Sequence, residues 1–509
     1  MTETTDSGIM ATRPDWTSNP GRNPSGRLAV IDIGSNSIRL VVYERLTRSP
    51  VALFNEKVLC GLGRTLEKTG QLDPEGVGLA LQNLARFQRL AEGMGVERLD
   101  VVATAAVRDA VDGAAFVEKV GRTCGLDVTT ISGEEEARLS ALGVVSGTPG
   151  ADGLMGDLGG GSLECVTLDH GLLGNQATMP LGPFRLMELT GKRDDVARHI
   201  DQHLASLPWL REGRGRTFYP VGGAWRALAT LHMERIGHPV HIIHQYDADA
   251  ATIRDFAKMI ATASRGTLER MDGLAKRRIE TLPLAALVLE RVLRHVEPAR
   301  VVFSAYGLRE GLLFDLLPPD QQAEDPLLAA CAAVERKGSR YGLGDELAAW
   351  TAPLFVGEDF ASGRLRRAAC LLADLGWAEH PDYRCEHAYL RTMRMVFAGI
   401  DHHERAFLAL AIHARYGGRP DDPLTAGGRA LVGEGMLNKA LVLGSALRLA
   451  FTLSGGSVAI LHRSGLRLAD DRLELVLTEE DRVLLGEALV RRLEVLAKPL
   501  GKRPAVVTG

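Results

Sequence analysis

Two glycine turns, far apart in the chain, carry the same chemistry. Asp32-Ile33-Gly34-Ser35-Asn36-Ser37 and Asp157-Leu158-Gly159-Gly160-Gly161-Ser162 each set out a carboxylate, an apolar residue, a glycine and small residues ending in serine. Glycine puts no Cβ in the way and allows φ > 0, so a tetrahedral oxyanion can reach the backbone N–H groups. Ser37 and Ser162 add hydroxyl donors. Bare carboxylates would repel phosphate. Asp32 and Asp157 beside anion-binding turns therefore imply a bridging hard cation, most simply Mg²⁺ with oxygen ligands and retained waters. Either turn alone also reads as a tight turn capped by Asp. Their repetition favours a phosphate clamp in which the two turns face each other across a cleft.

A water-activating base has candidates nearby. Ser132-Gly133-Glu134-Glu135-Glu136-Ala137-Arg138 reads as a helix N-terminus whose acids complement the dipole. Successive helical residues point about 100° apart, so at most one of the three acids can face a given centre, where it would serve as general base. Glu164 lies two residues past Ser162 on the same strand face, placed to orient water or hold metal. Arg108, just after a strand ending at Thr104, is a candidate to neutralise a phosphoryl oxygen, with a plain surface arginine as the alternative. Lys276-Arg277-Arg278 and the arginines between Arg211 and Arg216 are local positive runs of the kind a long anionic substrate would need, or simply solvated faces.

The elements that must position these groups follow from patterning. Leu28-Ala29-Val30-Ile31 and Ile38-Arg39-Leu40-Val41-Val42-Tyr43 flank the first turn as a hairpin, and Leu154 to Val166 repeats that hairpin around the second. A helix is predicted from Pro74 to about Glu92, a strand over Leu99–Thr104, and helices near Ala110–Cys124 and from about Gly133. Tyr219 to Arg226 and Arg300 to Gly311 are strand-to-helix glycine turns. Pro318-Pro319-Asp320 and Glu324-Asp325-Pro326 read as a linker, and residues 327 to about 415 as all helical. Beyond about 440 the pattern mixes strand-like Ser457–Leu461 and Leu473–Leu477 with a closing helix over Asp481–Leu496.

Composition narrows the class. The 509 residues carry 60 Lys plus Arg against 64 Asp plus Glu, a formal charge of −4, which disfavours a nucleic-acid partner held by global charge. Six cysteines without a Cys-x-x-Cys pair fit a reduced compartment and offer no thiolate zinc site. The first 26 residues are polar, read as a flexible tail and show no secretory signal, and no apolar run reaches spanning length. The expectation is a cytoplasmic protein with no membrane partner.

Five motifs in order carry a resemblance. The two acidic turns, Ala103-Thr104-Ala105-Ala106-Val107-Arg108, the Ser132–Arg138 segment and Gly307-Leu308-Arg309-Glu310-Gly311 occur as in the exopolyphosphatase / guanosine pentaphosphate phosphohydrolase (Ppx/GppA) family, strongly over about residues 27–320. That resemblance implies an α/β fold of duplicated actin, Hsp70 and sugar-kinase-like (ribonuclease H-like) domains, then an all-helical HD-like domain and a small α+β C-terminal piece. The corresponding boundaries are 1–26 for the tail, 27–146 and 147–320 for the two α/β domains, 321–430 for the helical domain and 431–509 for the last piece. It implies Glu136 as the catalytic glutamate with Glu135 its neighbour, and Asp32, Asp157 and Glu164 as metal ligands. It also implies phosphate binding by Ser35, Asn36, Ser37, Arg108, Gly159, Gly160, Gly161, Ser162 and Arg278. Leu371-Leu372-Ala373-Asp374-Leu375-Gly376-Trp377 resembles the core of an HD-type phosphohydrolase, except that Ala373 stands where the defining His belongs. His380, His387, His402, His403 and His413 follow without ligand spacing.

The function so implied is Mg²⁺-dependent release of terminal orthophosphate from inorganic polyphosphate, by a protein that resembles a homodimer. The nearest alternative is hydrolysis of the 5′ terminal phosphate of guanosine pentaphosphate, with guanosine tetraphosphate as a further ligand. A kinase of the same superfamily would need a nucleotide pocket around Val221-Gly222-Gly223. A non-catalytic sensor of guanosine polyphosphates would have no use for Glu136, Asp157 and Glu164.

Overall fold

The structure is a computed structural model that describes residues 26–189, 193–271 and 273–508; the tail expected over 1–26 lies, up to residue 25, outside the described residues. The first sheet holds β1 (Arg27–Ile33), β2 (Ser37–Tyr43), β3 (Ala52–Leu59), β4 (Val96–Ala103) and β5 (Val128–Thr130), ordered β3-β2-β1-β4-β5. The second holds β6 (Gly153–Leu158), β7 (Leu163–Asp169), β8 (Leu172–Met179), β9 (Thr217–Val221), β10 (Tyr246–Asp249) and β11 (Arg300–Phe303), ordered β10-β11-β9-β6-β7-β8. Followed from its β8 edge, β8-β7-β6-β9-β11 repeats the first order strand for strand. In each sheet an antiparallel hairpin is followed by a parallel strand, β1 with β4 and β6 with β9. The strand β10 is an antiparallel addition at the edge.

Central strands are apolar because both faces are covered: Leu28, Ala29, Val30 and Ile31 are all buried. The covering helices start where capping chemistry allows. Asp73 accepts from Gly76 N at 2.8 Å ahead of Pro74, opening α1 (Pro74–Gly93), and Ser132 accepts from Glu135 N at 3.1 Å, opening α2 (Gly133–Gly147). Two further helices, α3 (Gly223–Ile236) and α4 (Leu308–Asp315), leave the glycine turns that follow β9 and β11. Helices α2 and α4 cross in backbone contact. A Cβ on Gly143 would lie 2.2 Å from Gly307 O, and one on Gly311 would lie 1.7 Å from Leu139 O, so neither glycine tolerates a side chain.

The segment read as a linker is docked. Pro319–Gln322 is a short helix, Asp325 caps the helix Pro326–Gly338, and the buried Arg48 donates to Glu324 O and Ser146 O at 2.9 Å each. Beyond it, helices including α5 (His402–Arg415) and α6 (Glu434–Ser454) share one apolar cluster with the sheet of β12 (Gly465–Leu468), β13 (Arg472–Leu477) and β14 (Arg503–Thr508). That cluster runs from Leu327 to Ala497 with no break near 430.

Three local readings are corrected. Ser457–Leu461 is not a strand: Val458–His462 is helical, because Gly455 in the left-handed region ends α6 and Leu461 then turns into the helical core. The closing helix begins at Glu487, after a 3₁₀ turn over Glu480–Leu484. One helix, α6, is long and apolar enough to cross a membrane by length and composition, with half of its apolar window buried in the protein. In the motif Leu371–Trp377, Ala373 is fully buried and Asp374 accepts from Arg340 Nη2 at 2.6 Å and from Arg340 N at 2.9 Å.

Candidate active site

Both glycine turns close with the same hydrogen bond, Gly34 N to Ser37 O and Gly159 N to Ser162 O, each 3.0 Å. They face one another: a Cβ on Gly160 would stand 3.2 Å from Ser35 Cβ, and one on Gly161 would stand 3.3 Å from Ser35 Oγ. Between them lies a cavity of about 240 Å³. Ion pairs also join the two units. Arg185, from the helix Pro183–Glu188 of the second unit, reaches Asp109 and Glu67 of the first.

The cavity wall includes Asp32, Ser35, Asn36, Ser37, Glu136, Asp157, Gly159, Gly160, Gly161, Ser162, Glu164 and Arg278. Arg108 is not in that wall. Its guanidinium lies against Glu136, donating to Oε2 at 3.0 Å, and against Asp109 at 3.1 Å. Of the positive runs, Arg278 lines the cavity and the Arg277 side chain lies outside the described ones, while Arg216 pairs with Asp152 and Arg214 with Glu297 elsewhere. The histidines of the helical region find ordinary partners: His402 Nδ1 is 2.8 Å from His238 Nε2, His413 is 3.3 Å from Asp422, and His387 is 3.0 Å from Glu379.

The three consecutive acids at the start of α2 separate as helix geometry requires. Glu134 is exposed, Glu135 pairs with Arg138 at 2.8 Å, and Glu136 is buried in the cleft wall. Arg138 also grips Asp315 of α4 at 2.8 Å, fixing the two helices to each other. Ser140, one turn beyond Glu136, donates to Asp157 Oδ2 at 2.6 Å. A single helix thus presents the base candidate and steadies one acid, a pairing that the four-residue spacing from Glu136 to Ser140 foreshadows.

Four carboxyls crowd this space, and burial dominates all of them. Glu136 is pushed up to about 7, mainly by burial, with Asp157 and Asp32 adding to the rise and Arg108 opposing it. Glu164, 1% exposed, is raised well above the usual range by burial and then by Glu136 and Asp157. Asp32 and Asp157 are also raised by burial, against the pull of Arg309 on the first and of Ser140 and Arg226 on the second. Asp157 and Glu164 are register partners on β6 and β7, so both side chains leave the same face of the hairpin. Glu164 Oε1 is buried without a hydrogen-bond partner among the described residues.

An orphaned carboxylate oxygen beside three further acids is a donor set of hard oxygens, suited to a divalent cation such as magnesium. Among the described residues, the group of three metal-type side chains whose ligand atoms lie within 4.8 Å of one another is Asp152, Asp169 and His170, away from the cleft. The cleft carboxyls are therefore set wider than a closed protein cage. That suits an ion that keeps several waters and takes one or two carboxylates.

Several residues of the cleft wall were not singled out by the sequence reading. Arg39, Lys57, Arg226 and Arg309 line the cleft with Arg278, and Gly222, at φ 104°, brings its backbone so close that a Cβ would sit 2.4 Å from Leu158 O. Arg226 and Arg309 lie inside motifs that were recognised, just after the glycines of 222–223 and 307. Arg39 and Lys57 carry no such mark.

Residues 25–320 match the model of the Ppx/GppA phosphatase family, and residues 333–507 match that of the exopolyphosphatase C-terminal region. Retrograde regulation protein 2 of Saccharomyces cerevisiae is 26% identical over 439 residues, 76% of this chain and 72% of that protein. Exopolyphosphatase 1 of Mycobacterium tuberculosis is 26% identical over 324 residues, 60% of this chain and 92% of that one. The crystal structure of an exopolyphosphatase from Cytophaga hutchinsonii has the same fold, with a TM-score of 0.53 at 23% identity over 57% of this chain and 97% of that one. The first match covers more than half of the chain and takes in both sheets and the cleft between them. The protein is therefore a hydrolytic enzyme, and it belongs to the Ppx/GppA phosphatase family.

Proposed function

We propose that this enzyme is an exopolyphosphatase, releasing terminal orthophosphate from inorganic polyphosphate with Mg²⁺ as its cation. The observation that carries the reading is the pair of facing glycine turns with the buried Glu136 carboxyl in the wall between them. Asp157 and Glu164 would hold the ion with Asp32 across the cleft, and the bound ion would supply charge neutralisation at the phosphoryl oxygens. Backbone N–H groups within 35–37 and 160–162, with the hydroxyls of Ser35, Ser37 and Ser162, would grip the terminal phosphoryl group. Glu136 would take the proton of the attacking water, its carboxylate oriented by Arg108 and its basicity raised by burial toward neutral pH. Most of the acceleration would come from positioning and electrostatics, since phosphoryl transfer leaves little covalent work to protein groups.

Relatives named exopolyphosphatase support the substrate. One observation favours a second reading. A chamber of about 840 Å³ adjoins the cleft, walled by apolar groups such as Val41, Tyr43, Ile243, Val334 and Phe397. Phosphate gains nothing from such a wall, whereas a nucleoside does, so guanosine pentaphosphate stands as the alternative substrate. The deciding assay follows orthophosphate release by the purified protein from long-chain polyphosphate, from guanosine pentaphosphate and from ATP with sugars, in Mg²⁺ and in EDTA. Fastest release from long polyphosphate, abolished by EDTA and reduced about 10²–10⁴-fold by Glu136→Gln, is expected. Preference for the nucleotide would transfer the assignment to the second reading, and an unaffected Glu136→Gln variant would remove the base.

A further inference from the structure

The wall shared by the cleft and the apolar chamber is built almost wholly of cations. Arg39, Lys57, Arg226, Arg278 and Arg309 border both cavities, and the other residue common to the two walls is Gly223. Like charges gathered on one wall repel one another. An arrangement this unfavourable in isolation is relieved by an anion between the cations.

Arg309 is the deepest of the five, at 8% exposed. Its Nε lies 3.9 Å from Asp32 Oδ2, outside hydrogen-bond reach. Its position is rigid. Glu310 accepts from Gly307 N at 3.0 Å at the start of α4, and α4 rests backbone to backbone on α2, the helix that carries Glu136. Arg309 and Glu136 thus stand on two locked helices and line the same cleft, Arg309 where it borders the chamber.

We propose that this shared cationic wall is the leaving-group subsite and that Arg309 is its catalytic residue, donating to the second phosphate while the terminal phosphoryl group sits between the turns. This rests on the phosphoanhydride reading above. In the step, the water oxygen bonds to the terminal phosphorus and Glu136 takes the water proton. The bond from that phosphorus to the bridging oxygen breaks, and its electron pair stays on the bridging oxygen, now part of the shortened chain. The charge that grows on that oxygen and its phosphate is what Arg309 offsets.

Two probes separate this role from a role in the clamp. Orthophosphate fills the clamp alone; methylenediphosphonate adds a second phosphoryl group and has no cleavable bridge. Titration calorimetry with the full chain and Mg²⁺ is expected to show tighter binding of the diphosphonate by the wild type. Arg309→Met should bind orthophosphate within about twofold of wild type and lose about tenfold or more on the diphosphonate, the worth of one charge-assisted hydrogen bond. Its kcat on polyphosphate should fall about 10²–10³-fold with a smaller change in KM. Equal losses on both probes, or a kcat within about threefold of wild type, would overturn the assignment. Arg309→Lys, which keeps the charge, should fall between the two and carries the same comparison if the methionine variant does not fold. A wild type that binds the diphosphonate preferentially but releases no orthophosphate from polyphosphate would sink the substrate reading and leave the subsite standing. A wild type with no preference for the diphosphonate would sink the subsite.

Discussion

The two hairpins that form the cleft superimpose in register and part company in charge. Asp32 pairs with Arg39 across β1 and β2, while Asp157 pairs with Glu164 at the same place across β6 and β7. The turns between them close with hydrogen bonds of the same length. Both copies keep the glycine backbone of the turn. The side chain opposite the aspartate differs, giving an acid–acid pair with Glu164 buried in one copy and an acid–cation pair whose Arg39 borders the chamber in the other. The duplicated scaffold thereby acquires a direction, with carboxyls on one side and cations on the other.

Exchanging the two side chains is the most severe way to break that comparison. The double variant Arg39→Glu with Glu164→Arg keeps the total charge and inverts the direction, and its kcat on polyphosphate is expected to fall by at least about 10³-fold. Retained activity would mean that the hairpins are functionally interchangeable.

Thermal melting at different pH values sharpens the acid side. Burial raises the pKa of Asp32, Asp157 and Glu164, and that of Glu136 to about 7. A carboxyl raised in this way favours the folded state while protonated, so stability is highest on the acid side and is lost as pH climbs through neutrality. In EDTA the melting temperature should therefore fall between about pH 5 and pH 8, Mg²⁺ should raise it more at pH 8 than at pH 5, and Glu164→Gln should melt about 2–4 °C higher than wild type in EDTA at pH 8 while losing most of the Mg²⁺ effect. A Mg²⁺ shift unchanged by Glu164→Gln would take the ion away from this hairpin.

On the cationic side the expected effects are milder. Arg39→Met should raise KM for long polyphosphate about tenfold and leave kcat within about threefold, because one charge-assisted contact among several is removed. A loss confined to kcat would place Arg39 at the reacting bond. The smallest effect is expected for Ser140→Ala, which deletes the 2.6 Å hydrogen bond to Asp157 and should cost about 1 kcal/mol in denaturant melts with a few-fold loss of kcat. An identical kcat would show that Asp157 needs no support from α2.

Much of this was legible residue by residue. Gly34 and Gly159 mark turns because strands of Val, Ile and Leu stand on both sides; helix geometry allowed at most one of the three adjacent acids to face the cleft, and the family resemblance picked out Glu136. The cations Arg39 and Lys57 were hidden for a physical reason. Arg39 sits on β2 and Lys57 on β3, an edge strand on which Lys57 falls at one of the exposed positions. A lone basic residue on such a strand looks the same whether it meets solvent or a cavity. The helix at Val458–His462 was misread because five apolar residues carry too short a period to tell helix from strand.

By itself the amino-acid order determined the duplicated hairpins, the acids and glycines at their bends, and the helix starts, since each depends on neighbours a few positions away. The folded chain alone decided which of those acids would share a low-dielectric space and that Arg108 would rest on Glu136. It also set five cations along the wall that the cleft and the chamber share. Such facts arise only when segments hundreds of residues apart are packed into contact, where burial and Coulomb interaction act through space and take no account of sequence distance.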